Sequence, residues 1–179
     1  MQYFTKQLWS GAQCSDDADN PGNWEAAFKE YQGQLEKLRS RFAPHVFDFF
    51  AHADIHDGEL IKLNVIDGSR PAPLGKPSRR WTNQKNHPVR VDLTILDAHD
   101  KLVWELSYSS LRRVLVDFPS DEPLFYSDGD GFNDIGYQEL TDCENGFYRH
   151  EILFSTGANL LFEFRNVEVK NYARDRKDL

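Results

Sequence analysis

Two stretches of this chain carry side chains whose type and spacing suit chemistry. The first is His52-Ala53-Asp54-Ile55-His56-Asp57. Histidines at i and i+4 share a helical face, and Asp54 and Asp57 would add carboxylates to complete a metal site. A Glu directly after the first histidine, which supplies the general base in HExxH enzymes, is missing. The plainer reading is a helix end, with histidines near the last carbonyls and Asp57-Gly58 making the turn. A metal-dependent hydrolase built on His52, Asp54, His56 and Asp57 is therefore the alternative, not the leading expectation.

The second stretch is acidic. Val114 to Tyr148 contains no Lys or Arg, but holds Asp117, Asp121, Glu122, Asp128, Asp130, Asp134, Glu139, Asp142 and Glu144. These nine residues give −9, against −8 for the whole chain. Within it, Asp128-Gly129-Asp130-Gly131-Phe132-Asn133-Asp134 has the look of a calcium loop, with Glu139 at the twelfth position. Phe132 and Asn133 stand where an EF-hand requires an oxygen ligand and a glycine, so the match fails. What remains is a surface for a basic protein partner, with Asp117, Asp121, Glu122, Asp128, Asp130, Asp134 and Glu139 as its contact residues. The bland alternative is that the acidity serves solubility.

Other enzyme signatures are missing: there is no GxSxG, no P-loop and no GxGxxG after a strand. Ser107-Tyr108-Ser109-Ser110 has no identifiable base beside it. His150-Glu151 has the composition of an acid/base pair, but a polar strand edge is its ordinary explanation. His56-Asp57 is similar to the dyad of metal-dependent phosphohydrolases, whose folds are all-helical, whereas this chain is strand-rich. Trp81 beside Arg79-Arg80 invites nucleic acid stacking. Five positive charges between Asp67 and Pro88 are too few on an acidic chain, so neither nucleic acid nor an anionic membrane is an expected partner. No cofactor is implied. Cys14 and Cys143 lack metal or disulfide spacing.

The elements that must position these residues are legible in part. At 179 residues, with 40% hydrophobic content, the chain reads as one globular domain. No apolar run approaches the length of a membrane span, and MQYFTKQLW is no signal peptide, so the expected location is cytoplasmic. Trp24, Phe28, Tyr31, Leu35, Leu38 and Phe42 predict a helix from Asn23 to about Phe42. Pro44 starts a second, shorter helix carrying Val46, Phe47, Phe49 and Phe50. The aromatic N-terminus, Met1–Trp9, forms an edge strand or a short helix.

Strands are predicted at Glu59–Ile66, with Ile61, Leu63 and Val65 on one face, at Val89–Ile95, at Leu102–Tyr108 and at Leu111–Phe118. The strongest signal is the hairpin in Tyr148–Val169, where Ile152–Phe154 and Leu160–Phe164 flank Ser155–Asn159. After Asn166 the apolar residues move to odd positions, which marks a bulge or bend. Asp67–Pro88, with four prolines in 22 residues, is too long for an ordinary connection. The expected architecture is α+β: an antiparallel sheet of about five to six strands spanning roughly 59–170, with a helical pair at about 23–52 on one face.

Tyr3-Phe4-Thr5-Lys6 with Leu8-Trp9, the His56-Asp57-Gly58 turn and His150-Glu151-Ile152-Leu153-Phe154 together resemble a family of uncharacterised bacterial proteins, a domain of unknown function. The resemblance spans most of the chain and implies a helix leading through the His-Asp turn into a strand. It carries over no catalytic residue, and Asp67–Pro88 looks like an insertion. In style, a small acidic α+β chain also resembles the immunity proteins of bacterial toxin systems, which implies a toxin as the basic partner. The leading expectation is a non-catalytic protein-binding module of open oligomeric state.

Overall fold

The computed structural model describes residues 1–14, 21–67, 89–118 and 131–174. Among these the chain forms α1 (Lys6–Cys14), α2 (Pro21–Glu36), a 3₁₀ turn at Arg39–Arg41 and α3 (Pro44–His52). Eight strands are described: β1 (Glu59–Asp67), β2 (Val89–Leu96), β3 (Leu102–Ser109), β4 (Arg113–Asp117), β5 (Ile135–Asp142), β6 (Tyr148–Phe154), β7 (Asn159–Phe164) and β8 (Asn166–Ala173). The α+β class and the antiparallel pairing are as expected. The single sheet is not: the strands form two four-stranded sheets, ordered β1-β2-β3-β8 and β4-β7-β6-β5. Most of the Pro-rich connection lies outside the described residues.

The division arises from one bent ribbon. Ser109 pairs with Asn166 at the end of the first sheet, and Arg113 with Glu163 in the second. Ser110, Leu111 and Arg112 therefore stand opposite only Phe164 and Arg165. Ser110 takes φ of 54°, and the Arg112 N–H donates to the Glu163 carbonyl at 2.7 Å. An extra residue on one side bends a ribbon and strengthens its twist, so β3–β4 and β8–β7 turn a corner together and serve both sheets. The phase change near Asn166 is the sequence trace of that corner. Phe162 and Phe164 enter the core from one sheet and Val169 from the other.

The core lies between the sheets. The Tyr108 ring sits 4.9 Å from Phe162 and 5.0 Å from Phe164. Val91, Leu93, Ile95 and Leu106 line one wall, and Leu140, Ile152, Phe154 and Leu160 the other. Helix α3 begins at Pro44 and buries Val46, Phe47, Phe49 and Phe50, as its composition requires. It touches β8 and β5, the outer strands of the two sheets. Phe49 meets Trp104 of β3, and Phe50 meets His150 of β6. The helices thus close the open side between two sheets; they do not cover one face of a single sheet.

Helix α2 ends at Glu36, short of Phe42. The chain continues in tighter turns, with Leu38 N–H donating to Leu35 O and Arg41 N–H to Leu38 O, both at 2.9 Å. A residue three positions on stays on the same side in such turns, so Leu38 is buried with Tyr31 and Leu35, while Phe28 is 46% exposed. In β1 the register slips between Leu60 and Lys62. That bulge removes Ile61 from the face of Leu63. β1 is an edge strand, and Ile61 and Val65 are both exposed.

The turn before β1 has no room for a side chain. Asp57 adopts φ of 60°, and a Cβ on Gly58 would lie 2.4 Å from the Leu96 carbonyl oxygen. Gly58→Ala must displace backbone, and is expected to cost about 1–3 kcal/mol in urea unfolding. Gly33→Ala in α2, where nothing lies within 4 Å, is the control and gains up to ~1 kcal/mol. Equal stability of Gly58→Ala and wild type would show that the turn does not press on β2.

Candidate functional site

The His52–Asp57 metal reading does not survive the geometry. Helix α3 stops at His52, and Ala53 is already extended at ψ 126°. His52 and His56 therefore never share a helical face. His56 Nδ1 lies 3.1 Å from Asp57 Oδ1, its own neighbour, and its ring packs on Tyr137. Asp54 reaches across to His99 Nε2 at 3.6 Å. Among the described residues no three His, Cys, Asp or Glu side chains converge as a metal site. His150 and Glu151 do not form a pair either, because consecutive strand residues point to opposite faces.

His150 sits wholly buried in the core. Its Nδ1 is 2.6 Å from the Tyr108 hydroxyl and its Nε2 is 3.0 Å from Gln138 Oε1. Burial pushes this imidazole down to about 3, so the ring is neutral. Burial also pushes the Tyr108 hydroxyl well up, which keeps its proton. The Tyr108 O–H then donates to Nδ1, and the ring proton sits on Nε2 and donates to Gln138.

The outer face of the second sheet carries three buried carboxylates, from Glu139, Glu151 and Glu163. Glu139 and Glu151 stand directly opposite each other on β5 and β6. Like charges so placed repel, and each has its own compensation. Glu139 accepts backbone N–H bonds from Gln2 at 2.7 Å, from Tyr3 at 2.6 Å and from Phe4. Glu151 accepts from the Met1 ammonium at 2.8 Å. Burial works to raise the Glu163 carboxyl, but hydrogen bonds from Arg149 and Arg112 outweigh it and hold the group below its usual value.

Glu139 is thus a correction to the expected binding surface: it is 1% exposed and holds the N-terminal segment. Asp121, Glu122, Asp128 and Asp130 lie outside the described residues. Asp117 is exposed at the end of β4, and Asp134 is half-buried. Asp134 bridges to Glu59 of β1, and beside it the Asp57 N–H donates to Ile135 O at 2.8 Å. Backbone pairing therefore brings the chain at Asp57–Glu59 beside the chain at Asp134–Ile135, so acidic residues from two distant segments lie near one another at the junction of the sheets. Sequence reasoning left Glu59 out because its charge lies far from the acidic segment along the chain.

Next to this rim, a groove of about 840 Å³ runs between α3 and the β3/β8 side of the first sheet. Its floor is apolar, from Phe49, Trp104 and Val169, with Phe49 and Trp104 rings 5.0 Å apart. His45 and His52, two helical turns apart on α3, flank one side. The turn after β2 supplies His99 and Lys101 to the other. That turn is held by Asp97, whose carboxylate accepts the Lys101 N–H at 2.7 Å and the Leu102 N–H at 3.1 Å. Asp48, Asp54 and Lys170 complete a rim of mixed charge. Comparison of the chain with protein-family models, curated proteins and solved structures found no match.

Proposed function

We propose that this protein is a non-catalytic protein-binding module that engages a basic protein partner through an acidic surface. The observation that carries the reading is the backbone pairing that sets Asp57 and Glu59 beside Asp134 where β1 meets the start of β5. This edge joins Asp134, inside the Val114–Tyr148 stretch that has no Lys or Arg, to acids that arrive from the α3–β1 turn. Asp54, on the groove side of the same turn, is also exposed and extends the acidic edge towards the apolar floor. A basic partner with an apolar anchor would meet both features at once, charge guiding its approach and the anchor slowing its release. An immunity protein that covers a basic toxin is the most concrete form of this proposal.

The test is binding to an isolated basic partner at two salt concentrations, with wild type compared to the combined variant Asp57→Lys, Glu59→Lys, Asp134→Lys. The variant is expected to bind at least about tenfold more weakly, with the difference shrinking at high salt. Unchanged affinity with an unchanged salt slope would remove this surface from the proposal.

A further inference from the structure

A second, smaller cleft of about 210 Å³ lies between α2, α3 and β5. Its walls are aromatic, with Phe4, Tyr31, Phe50 and Tyr137 facing it, and Gln138 and His56 are among its polar lining. The orientation of Gln138 is decided from behind, by the buried Tyr108–His150 pair. The Tyr108 hydroxyl has the His150 Nδ1 as its partner at 2.6 Å. If Nδ1 carried the ring proton, the Tyr108 proton would be left without that acceptor in the core, a costly arrangement. With the proton on Nε2, all three groups are satisfied and Gln138 must present Oε1 to the ring, at 3.0 Å. Both amide N–H donors of Gln138 are then left for the cleft. Tyr31 adds a hydroxyl that accepts the Leu140 N–H at 3.0 Å and so keeps its own proton to donate.

The charges around the cleft select further. Asp54 lines it, and Asp57 lies close enough to Tyr137 to add to the effect of burial in raising that hydroxyl. Glu139 acts on Tyr31 in the same sense, after burial. A carboxylate ligand would meet these negative charges, and a ligand without an acceptor would leave the Gln138 donors unpaired. We infer that the cleft between α2, α3 and β5 is a binding site for a small, uncharged, planar aromatic ligand bearing a carbonyl acceptor, which the Gln138 amide receives.

The probe is benzamide, titrated against isotope-labelled full chain while the Gln138 side-chain amide and the Gly136 and Tyr137 backbone amides are followed by NMR. Benzoate keeps the ring and acceptor but adds negative charge, and toluene keeps an uncharged ring but lacks the acceptor. Saturable shifts are expected with benzamide, with both comparison compounds binding about tenfold more weakly, the scale of one hydrogen bond. Gln138→Glu keeps an acceptor for His150 but removes both donors, and should weaken benzamide by a similar factor. Equal binding of benzamide and toluene, absence of cleft shifts with benzamide, or undiminished binding by Gln138→Glu would each overturn the assignment. The ligand comparison needs no variant, so it stands even if Gln138→Glu folds poorly.

Discussion

Glu139→Ala lowers the stability of the fold by about 3–5 kcal/mol, the cost of breaking a buried, charge-assisted contact and leaving its partners unsatisfied. Three successive backbone N–H groups, from Gln2, Tyr3 and Phe4, converge on this one carboxylate. A second consequence is carried by packing. Phe4 stacks on Tyr137 at 5.3 Å and meets Tyr31 edge-on at 5.2 Å. Loss of the anchor therefore loosens the aromatic cluster that ties α2 to β5. Glu139→Gln retains one acceptor and is expected to cost less, about 1–3 kcal/mol. Urea unfolding gives the energies, and near-UV circular dichroism reports the aromatic cluster. A loss below ~1 kcal/mol for Glu139→Ala, a typical surface value, would mean that the N-terminal segment is held by something else.

The second large effect is a pH dependence set by His150. Its imidazole is pushed from 6.5 to about 3 by burial. In the unfolded chain it takes up a proton below about pH 6.5, whereas in the folded chain it remains neutral until about pH 3. The unfolded state therefore binds more protons throughout that window, and stability falls as pH drops across it. The slope is about 1.4 kcal/mol per pH unit and the full effect is on the order of 5 kcal/mol. Above about pH 6.5 this group contributes no slope. His150→Gln can still accept from Tyr108 and donate to Gln138, but it cannot titrate. The variant starts less stable, and its profile between pH 6.5 and 4 should be flatter than wild type by that slope. Carboxylates titrate in both proteins and cancel in the difference. Parallel profiles would show that the histidine is not held neutral.

Parts of this fold were plain in the sequence because they obey one-sided patterning. Val91, Leu93 and Ile95 alternate with polar residues, and the hairpin of β6 and β7 forms where Leu160, Phe162 and Phe164 require it. Strand β5 was missed because its pattern is broken twice. Gly136 shifts the register at a bulge and leaves room for the Trp9 ring, which a Cβ there would meet at 2.2 Å. Glu139 then places a charge where an outward strand residue would be solvated, although the N-terminal segment buries it. The two-sheet division was hidden for a related reason. A ribbon that bends at Ser110–Arg112 reads as two ordinary strands, and only the phase change near Asn166 hints at the corner.

The candidate sites were less legible than the fold. Histidines four apart suggested a shared helical face, but the helix ended at the first of them. The groove and the cleft draw side chains from α3, β3, β5 and β8, a convergence that depends on how the corner folds and not on any local spacing. Glu59 and Asp134 are neighbours for the same reason.

The hold of Glu139 on Gln2, Tyr3 and Phe4 has a consequence for synthesis. Contacts across 135 to 137 positions join Gln2, Tyr3 and Phe4 to a carboxylate that is synthesised more than a hundred residues after them. At bacterial to eukaryotic elongation speeds of about 5–20 residues per second, the leading segment waits on the order of ten seconds before its dock exists. Until then Tyr3 and Phe4 lack this anchor, so this contact cannot close in the order of synthesis.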